Sequence, residues 1–236
     1  MAFKEFDIED LGMVTVYKRQ GTRSVRLSIR PDGSLRVTIP TWTPYITGVQ
    51  FAKSRSDWIK THAKAPVALL QEGQMIGKAH RLKFMSSATT NRVTTRVRQL
   101  QVVVTYPGNQ TISSPDVQAA ATKACVRALK QQAEKLLPMR LADLAKQHGF
   151  SYGNTDVKQL KTRWGSCDQD KNITFNLFLM QLPWNLIDYV LLHELTHTKV
   201  LHHGPLFWQA MEQIEPKTPQ LRKEIKAHQP TLQSQN

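Results

Sequence analysis

The chain has 236 residues, 40% hydrophobic and 8% aromatic, enough to bury a core without a disulfide or a metal as a folding staple. Lys and Arg total 32 against 18 acidic residues, a formal charge of +14 that favours polyanions or acidic partners. Two cysteines, Cys125 and Cys167, without metal-ligand spacing, exclude a disulfide framework, and no run approaches the roughly 20 apolar residues of a membrane span.

Residues 1–10 carry Glu5, Asp7, Glu9 and Asp10 where a signal peptide needs an apolar run, so a cytoplasmic chain with no membrane partner is expected. Residues 12–18 read as a strand. Val25, Leu27 and Ile29 then alternate with polar residues, as do Leu35, Val37 and Ile39, and Pro31-Asp32-Gly33 lies between them. Two period-2 runs joined by such a turn predict a hairpin. A helix is expected around 44–64, with Phe51, Trp58 and Ile59, followed by strands near 80–86 and 92–105. Ser114-Pro115-Asp116 starts a helix that reaches a C-cap at Gly149, with Pro138 expected to kink or divide it. A strand pair comes next near 156–163 and 172–179, then a helix from about Pro183 to Leu201, then a short basic helix within the last twenty residues. The pattern is α+β: a β-rich part with one helix over 1–110, a helical and β part over 111–230, and a polar tail over 231–236.

His193-Glu194-Leu195-Thr196-His197 lies in the helix from Pro183. Four residues of separation put both imidazoles on one helix face, one turn apart, within reach of a single Zn²⁺. Glu194 sits beside the first ligand without pointing at the ion, the place of a general base for the attacking water in a zincin. Leu186, Ile187, Val190 and Leu191 form an apolar stripe, so the helix passes through a core and its polar load needs a reason. A third ligand is required. In an unbroken helix His203 would point about 80° away from His193 and His202 to the opposite side, so geometry leaves both open.

Arg163-Trp164-Gly165-Ser166-Cys167, Asn172, Phe175-Asn176, Asp188-Tyr189-Val190, the His193–His197 motif, His203 and Phe207-Trp208 together resemble the YgjP-like metal-dependent hydrolases, relatives of the SprT/WLM zincin peptidases. The likeness extends less specifically to the Pro-Asp-Gly hairpin and Trp58. It implies a zincin-like catalytic domain over 111–230 and a third ligand at His203. The chain departs from the family at His202, commonly Asn, and at Gly204, commonly Ser, which keeps His202 as a substitute ligand or substrate contact. Val200 stands where metzincins of the same ligand spacing carry Gly.

The expected function is a zinc-dependent metallopeptidase acting on protein or peptide substrates, with His193, His197 and His203 on Zn²⁺ and Glu194 catalytic. Arg163 is a candidate contact for an oxyanion or an anionic group. Trp164, Gly165 and Cys167 read first as packing and turn residues, Phe207 and Trp208 as packing behind His203, and Ser166 has no visible nucleophile partner. Two alternatives remain: a metal-dependent nucleotide phosphoanhydride hydrolase (pyrophosphatase), and a nucleic-acid-binding protein with a structural zinc. For nucleic acid, Arg23, Arg26, Arg30 and Arg36 on the hairpin and the basic stretch 217–226 are the candidate contacts. The sequence leaves the oligomeric state open.

Overall fold

The alternation read over residues 12–39 builds a four-stranded sheet. In the computed structural model, which describes residues 2–29, 34–62 and 69–232 (side chains at 60–62 excepted), this sheet belongs to the first of two compact units, Met1–Ala68 and Leu69–Asn236. Its strands are β1 (Phe3–Ile8), β2 (Gly12–Arg19), β3 (Arg26–Ile29) and β4 (Leu35–Pro40), in the order β1-β2-β4-β3. β3 and β4 pair antiparallel, as expected of a hairpin, while the Pro31-Asp32-Gly33 turn and Arg30 lie outside the described residues. β2 runs parallel to β4, and β1, which the sequence did not suggest, returns antiparallel onto β2. The expected helix over 44–64 is two, α1 (Tyr45–Ser54) and α2 (Ser56–His62). Val14, Val16, Leu35, Val37 and Ile39 form the buried face with Val49 and Ala52 of α1. A Cβ on Gly48 would come within 2.7 Å of Val16 Cγ1, so glycine lets α1 lie close on the sheet.

The second unit starts earlier than the expected division at 110/111, because residues 69–110 pack with the helices and strands C-terminal to them. β5 (Met75–Ile76), β6 (His80–Ser87), β7 (Thr94–Arg98) and β8 (Gln101–Pro107) form a sheet in the order β5-β6-β8-β7. The alternating run 92–105 is thus two strands, turned at Gln99 and Leu100, both with positive φ (46° and 64°) as a two-residue hairpin loop demands. Leu82, Phe84, Val102 and Val104 of this sheet share a core with Val117, Ala121, Ala124 and Cys125 of α3 (Pro115–His148). Two glutamines of α3 fasten the segment: Gln118 holds the N–H and carbonyl of Leu70, and Gln132 accepts from Lys78 N and donates to the Ile76 carbonyl.

α3 ends at Gly149, whose φ of 65° is the left-handed cap expected there. Ser114 stands at its start without a side-chain capping bond, since its Oγ accepts from Thr111 N instead. Pro138 does not divide the helix. Leu137 and Leu141, both fully buried, anchor it on either side of the proline, and their burial outweighs the roughly 3 kcal/mol propensity cost.

A three-stranded sheet comes next: β9 (Thr155–Lys158), β10 (Gly165–Cys167) and β11 (Ile173–Asn176), in the order β10-β11-β9. The expected pair corresponds to β9 and β11, which run parallel, and β10 lies antiparallel at the outer edge. Ile173 and Phe175 are fully buried, while Leu177 opens a 3-10 turn, Leu177–Gln181. α4 (Trp184–His197), α5 (Pro205–Ile214) and the short basic α6 (Thr218–Ile225) complete the unit. No helix among the described residues is long and apolar enough to cross a membrane. The polar tail is described only to Leu232.

Candidate metal centre

α4 is held from behind. Leu186, Ile187, Leu191 and Leu195 are fully buried, and Asp188 takes two hydrogen bonds, 2.8 and 2.7 Å, from the Arg140 guanidinium of α3. With that face committed to the core, His193 and His197 share the other. The helix stops at His197, four residues before the expected end, in a tightened last turn where Thr198 N donates to the Leu195 carbonyl and Lys199 N to that of Thr196, both at 3.0 Å. The chain then doubles back to α5, and this turn presents His203.

His203 Nε2 lies 2.9 Å from Nε2 of His193 and 3.1 Å from Nε2 of His197. Three nitrogens bound tetrahedrally to one Zn²⁺ would stand about 3.3 Å apart. Their neighbours keep the rings aimed. His197 Nδ1 donates to the Val200 carbonyl (3.1 Å), which leaves Nε2 with its lone pair. Trp208 stacks on His203 (5.6 Å, 24°) and donates from Nε1 to its backbone carbonyl (3.1 Å). Phe207, fully buried, meets all three imidazoles at 4.5–4.8 Å between ring centroids. His193 Nδ1 is buried with no partner among the described residues, so ring packing alone orients it.

The electrostatics suit a cation. Burial pushes His193 down to about 3, helped by the charges of His197, His203 and Arg222. Burial likewise lowers His197 and His203, so all three imidazoles are neutral ligands at neutral pH. Glu194 is buried beside them, its Oε2 without a hydrogen-bond partner among the described residues. Burial raises its carboxyl to about 8 against the pull of Arg163, and a divalent cation would draw it back down. A buried orphan carboxylate next to three neutral nitrogens fits a metal with an attacking water between them.

The centre opens on a cleft of about 430 Å³, walled by the 163–167 segment, α4, His203 and Ile225 of α6. Arg163 lines it, exposed, and Asn176, fully buried, fixes the approach to β10 by donating to the carbonyls of Leu160 and Arg163, both at 2.8 Å. Gly165 does more than turn the chain. A Cβ there would lie 2.6 Å from Glu194 Oε1, so the strand passes over the carboxylate closer than any side chain permits. Cys167 and Ser166 also line the cleft, and burial pushes the Cys167 thiol up to about 11, which leaves it protonated and unreactive. His202 is exposed and stands outside both the three-histidine cluster and the cleft lining.

The sequence did not single out Asn176 as a support, the passage of Gly165 over Glu194, or Arg222. Arg222 was legible only as one charge in a basic stretch, yet its guanidinium lies 3.9 Å over the Trp208 ring. In the first unit, Arg23 and Arg26 are exposed and Arg36 lies 4.1 Å over Tyr17.

A family model described as "YgjP-like, metallopeptidase domain" matches residues 23–228. No curated protein matches the chain. Among solved structures, the metallopeptidase zymogen abylysin of Pyrococcus abyssi is 20% identical, covering 39% of this chain and 93% of its own, with a TM-score of 0.36. The metallopeptidase zymogen jannalysin of Methanocaldococcus jannaschii is 19% identical, covering 39% and 96%, also with a TM-score of 0.36. The 23–228 match covers most of the chain and shows its family.

Proposed function

Because the chain belongs to the YgjP-like metallopeptidase family, we propose that it is a zinc-dependent peptidase, with His193, His197 and His203 holding the ion and Glu194 as general base. The observation that carries this reading is the convergence of three Nε2 atoms beside a buried carboxylate that has an unpartnered oxygen. Zinc in that place supplies a Lewis acid for the scissile carbonyl and the attacking water. Glu194 takes the proton of the attacking water at Oε2 and gives it to the leaving amine nitrogen. Burial, which lifts its basicity, suits it to both steps. Phe207, Trp208 and the Val200 carbonyl keep the imidazoles aimed, and Gly165 keeps room for Glu194 under β10.

Peptide fits this cleft better than nucleotide. β10 is an edge strand of its sheet and its residues line the cleft, so an extended substrate can add to it. Three donors facing open space favour a catalytic site over a closed structural one. Arg163, exposed in the cleft lining, would meet an anionic group of the substrate, and His202, outside the lining, would be an outer contact.

The test is Glu194→Gln. The variant should bind about one zinc per chain, as the wild type does, and hydrolyse no peptide. Wild-type cleavage by the variant would end the assignment.

A further inference from the structure

We propose that the cleft selects peptides with a carboxylate next to the scissile bond, received by the guanidinium groups of Arg163 and Arg222. The proposal rests on the peptidase reading and names its substrate class.

Two arginines from different elements stand at the cleft, one in its lining and one outside it. Arg163 lines the cleft where the chain enters β10. Arg222, on α6, lies 3.9 Å over Trp208, whose ring stacks on His203. Both are exposed, and neither forms an ion pair among the described residues. Nothing in the lining offsets them. Glu194 is the sole acid there among the described residues, and its charge is committed to the reaction.

A cleft with one unpaired guanidinium in its lining and a second beside it, one turn before Ile225 on α6, repels a basic peptide and attracts an acidic one. Arg presents planar paired donors that match a carboxylate fork, and Arg222 is further held by its aromatic partner. The anion can come from an Asp or Glu side chain or from a free C-terminus close to the cut. The two sources share one chemistry and separate readily by experiment.

The experiment uses full-length, zinc-loaded Glu194→Gln protein, so that binding is read without turnover. Matched fluorescent peptides differ at one position as Glu, Gln or Lys, each with a free or an amidated C-terminus. The Glu peptide should bind about tenfold tighter than the Gln peptide, and the Lys peptide weakest. In Arg222→Gln or Arg163→Gln added to that background, the Glu-to-Gln ratio should fall to within about twofold, with zinc content unchanged. Arg222→Lys, which keeps the charge, should retain part of the preference and guards against a folding artefact. Preference that tracks the free C-terminus assigns the anion to the chain end. Preference that persists with the amidated series assigns it to a side chain. Equal binding of Glu and Gln peptides, a ratio indifferent to both arginine substitutions, or no peptide binding would overturn the proposal. Inorganic tripolyphosphate displacing the Glu peptide at a lower concentration than the peptide's own Kd would also overturn it. Failure of the peptidase reading looks different: the peptides bind with the stated preference, yet wild-type protein cuts none of them.

Discussion

Gly165→Ala tests how Glu194 is held. A methyl group at this position would stand 2.6 Å from Oε1, 2.8 Å from Cγ and 2.9 Å from Cδ of Glu194, where ordinary contact begins at 3.4 Å. The carboxylate must therefore retreat by about 0.8 Å, the difference between 3.4 and 2.6 Å, or β10 must lift by as much. Misplacing a reacting group by about 1 Å costs on the order of 10²-fold in rate. The expected loss in kcat/KM is thus about a hundredfold, or roughly 2.7 kcal/mol of transition-state stabilisation. Overpacking should cost a further 1–3 kcal/mol or so of fold stability, leaving a folded protein. Nothing in the clash touches His193, His197 or His203, so zinc stoichiometry should hold. The assay pairs zinc content by mass spectrometry with peptide hydrolysis, and Ser166→Ala serves as a neighbour control. Wild-type kcat/KM in Gly165→Ala, or loss of zinc along with activity, would refute the reasoning.

The third ligand is separable from its neighbour: His203→Ala should lose most of its zinc and His202→Ala should keep it, by metal analysis of purified protein. Chelation should destabilise the fold. With free zinc at a hundredfold its Kd, the bound metal contributes about 2.7 kcal/mol, and its removal should lower Tm by roughly 5–10 °C in a calorimetric scan. An unchanged Tm would mean that the ion is not bound by the native state alone. Asn176→Ala strips the carbonyls of Leu160 and Arg163 and the N–H of Phe178 of their partner, so urea unfolding should show a loss of about 2–4 kcal/mol. A loss below about 1 kcal/mol would place those groups in contact with solvent.

The features legible in the sequence are those encoded locally, and the hidden ones depend on distant contacts. His193, Glu194 and His197 are arranged by the pitch of one helix, and Ile173 and Phe175 by the alternation of one strand, so both could be read directly. The third ligand was not legible from spacing, because His203 depends on where α4 stops and how the chain turns after it, which the pitch of the helix does not fix. The β7–β8 turn was hidden because Gln99 and Leu100 carry none of the usual left-handed residue types. The unit boundary depends on Gln118 reaching back 48 residues to Leu70, a contact that no window of sequence contains. Gly165 looked like a turn residue because the group it accommodates, Glu194, is distant along the chain. Pro138 misled in the opposite sense, since local propensity was overruled by a fully buried flank.

The three candidate ligands differ in how firmly the fold grips them, and this sets how an ion would leave. His193 and His197 stand on a helix whose other face is core, so their backbone opens only when the whole unit does. His203 is exposed in the turn between α4 and α5, held by the Trp208 and Phe207 rings and by the indole N–H on its carbonyl. Metal exchange should therefore begin at His203, with local fluctuation of residues 198–204 setting its rate. Amide hydrogen exchange would then separate a fast turn from a slow helix, and the lifetime of the bound ion would track the turn.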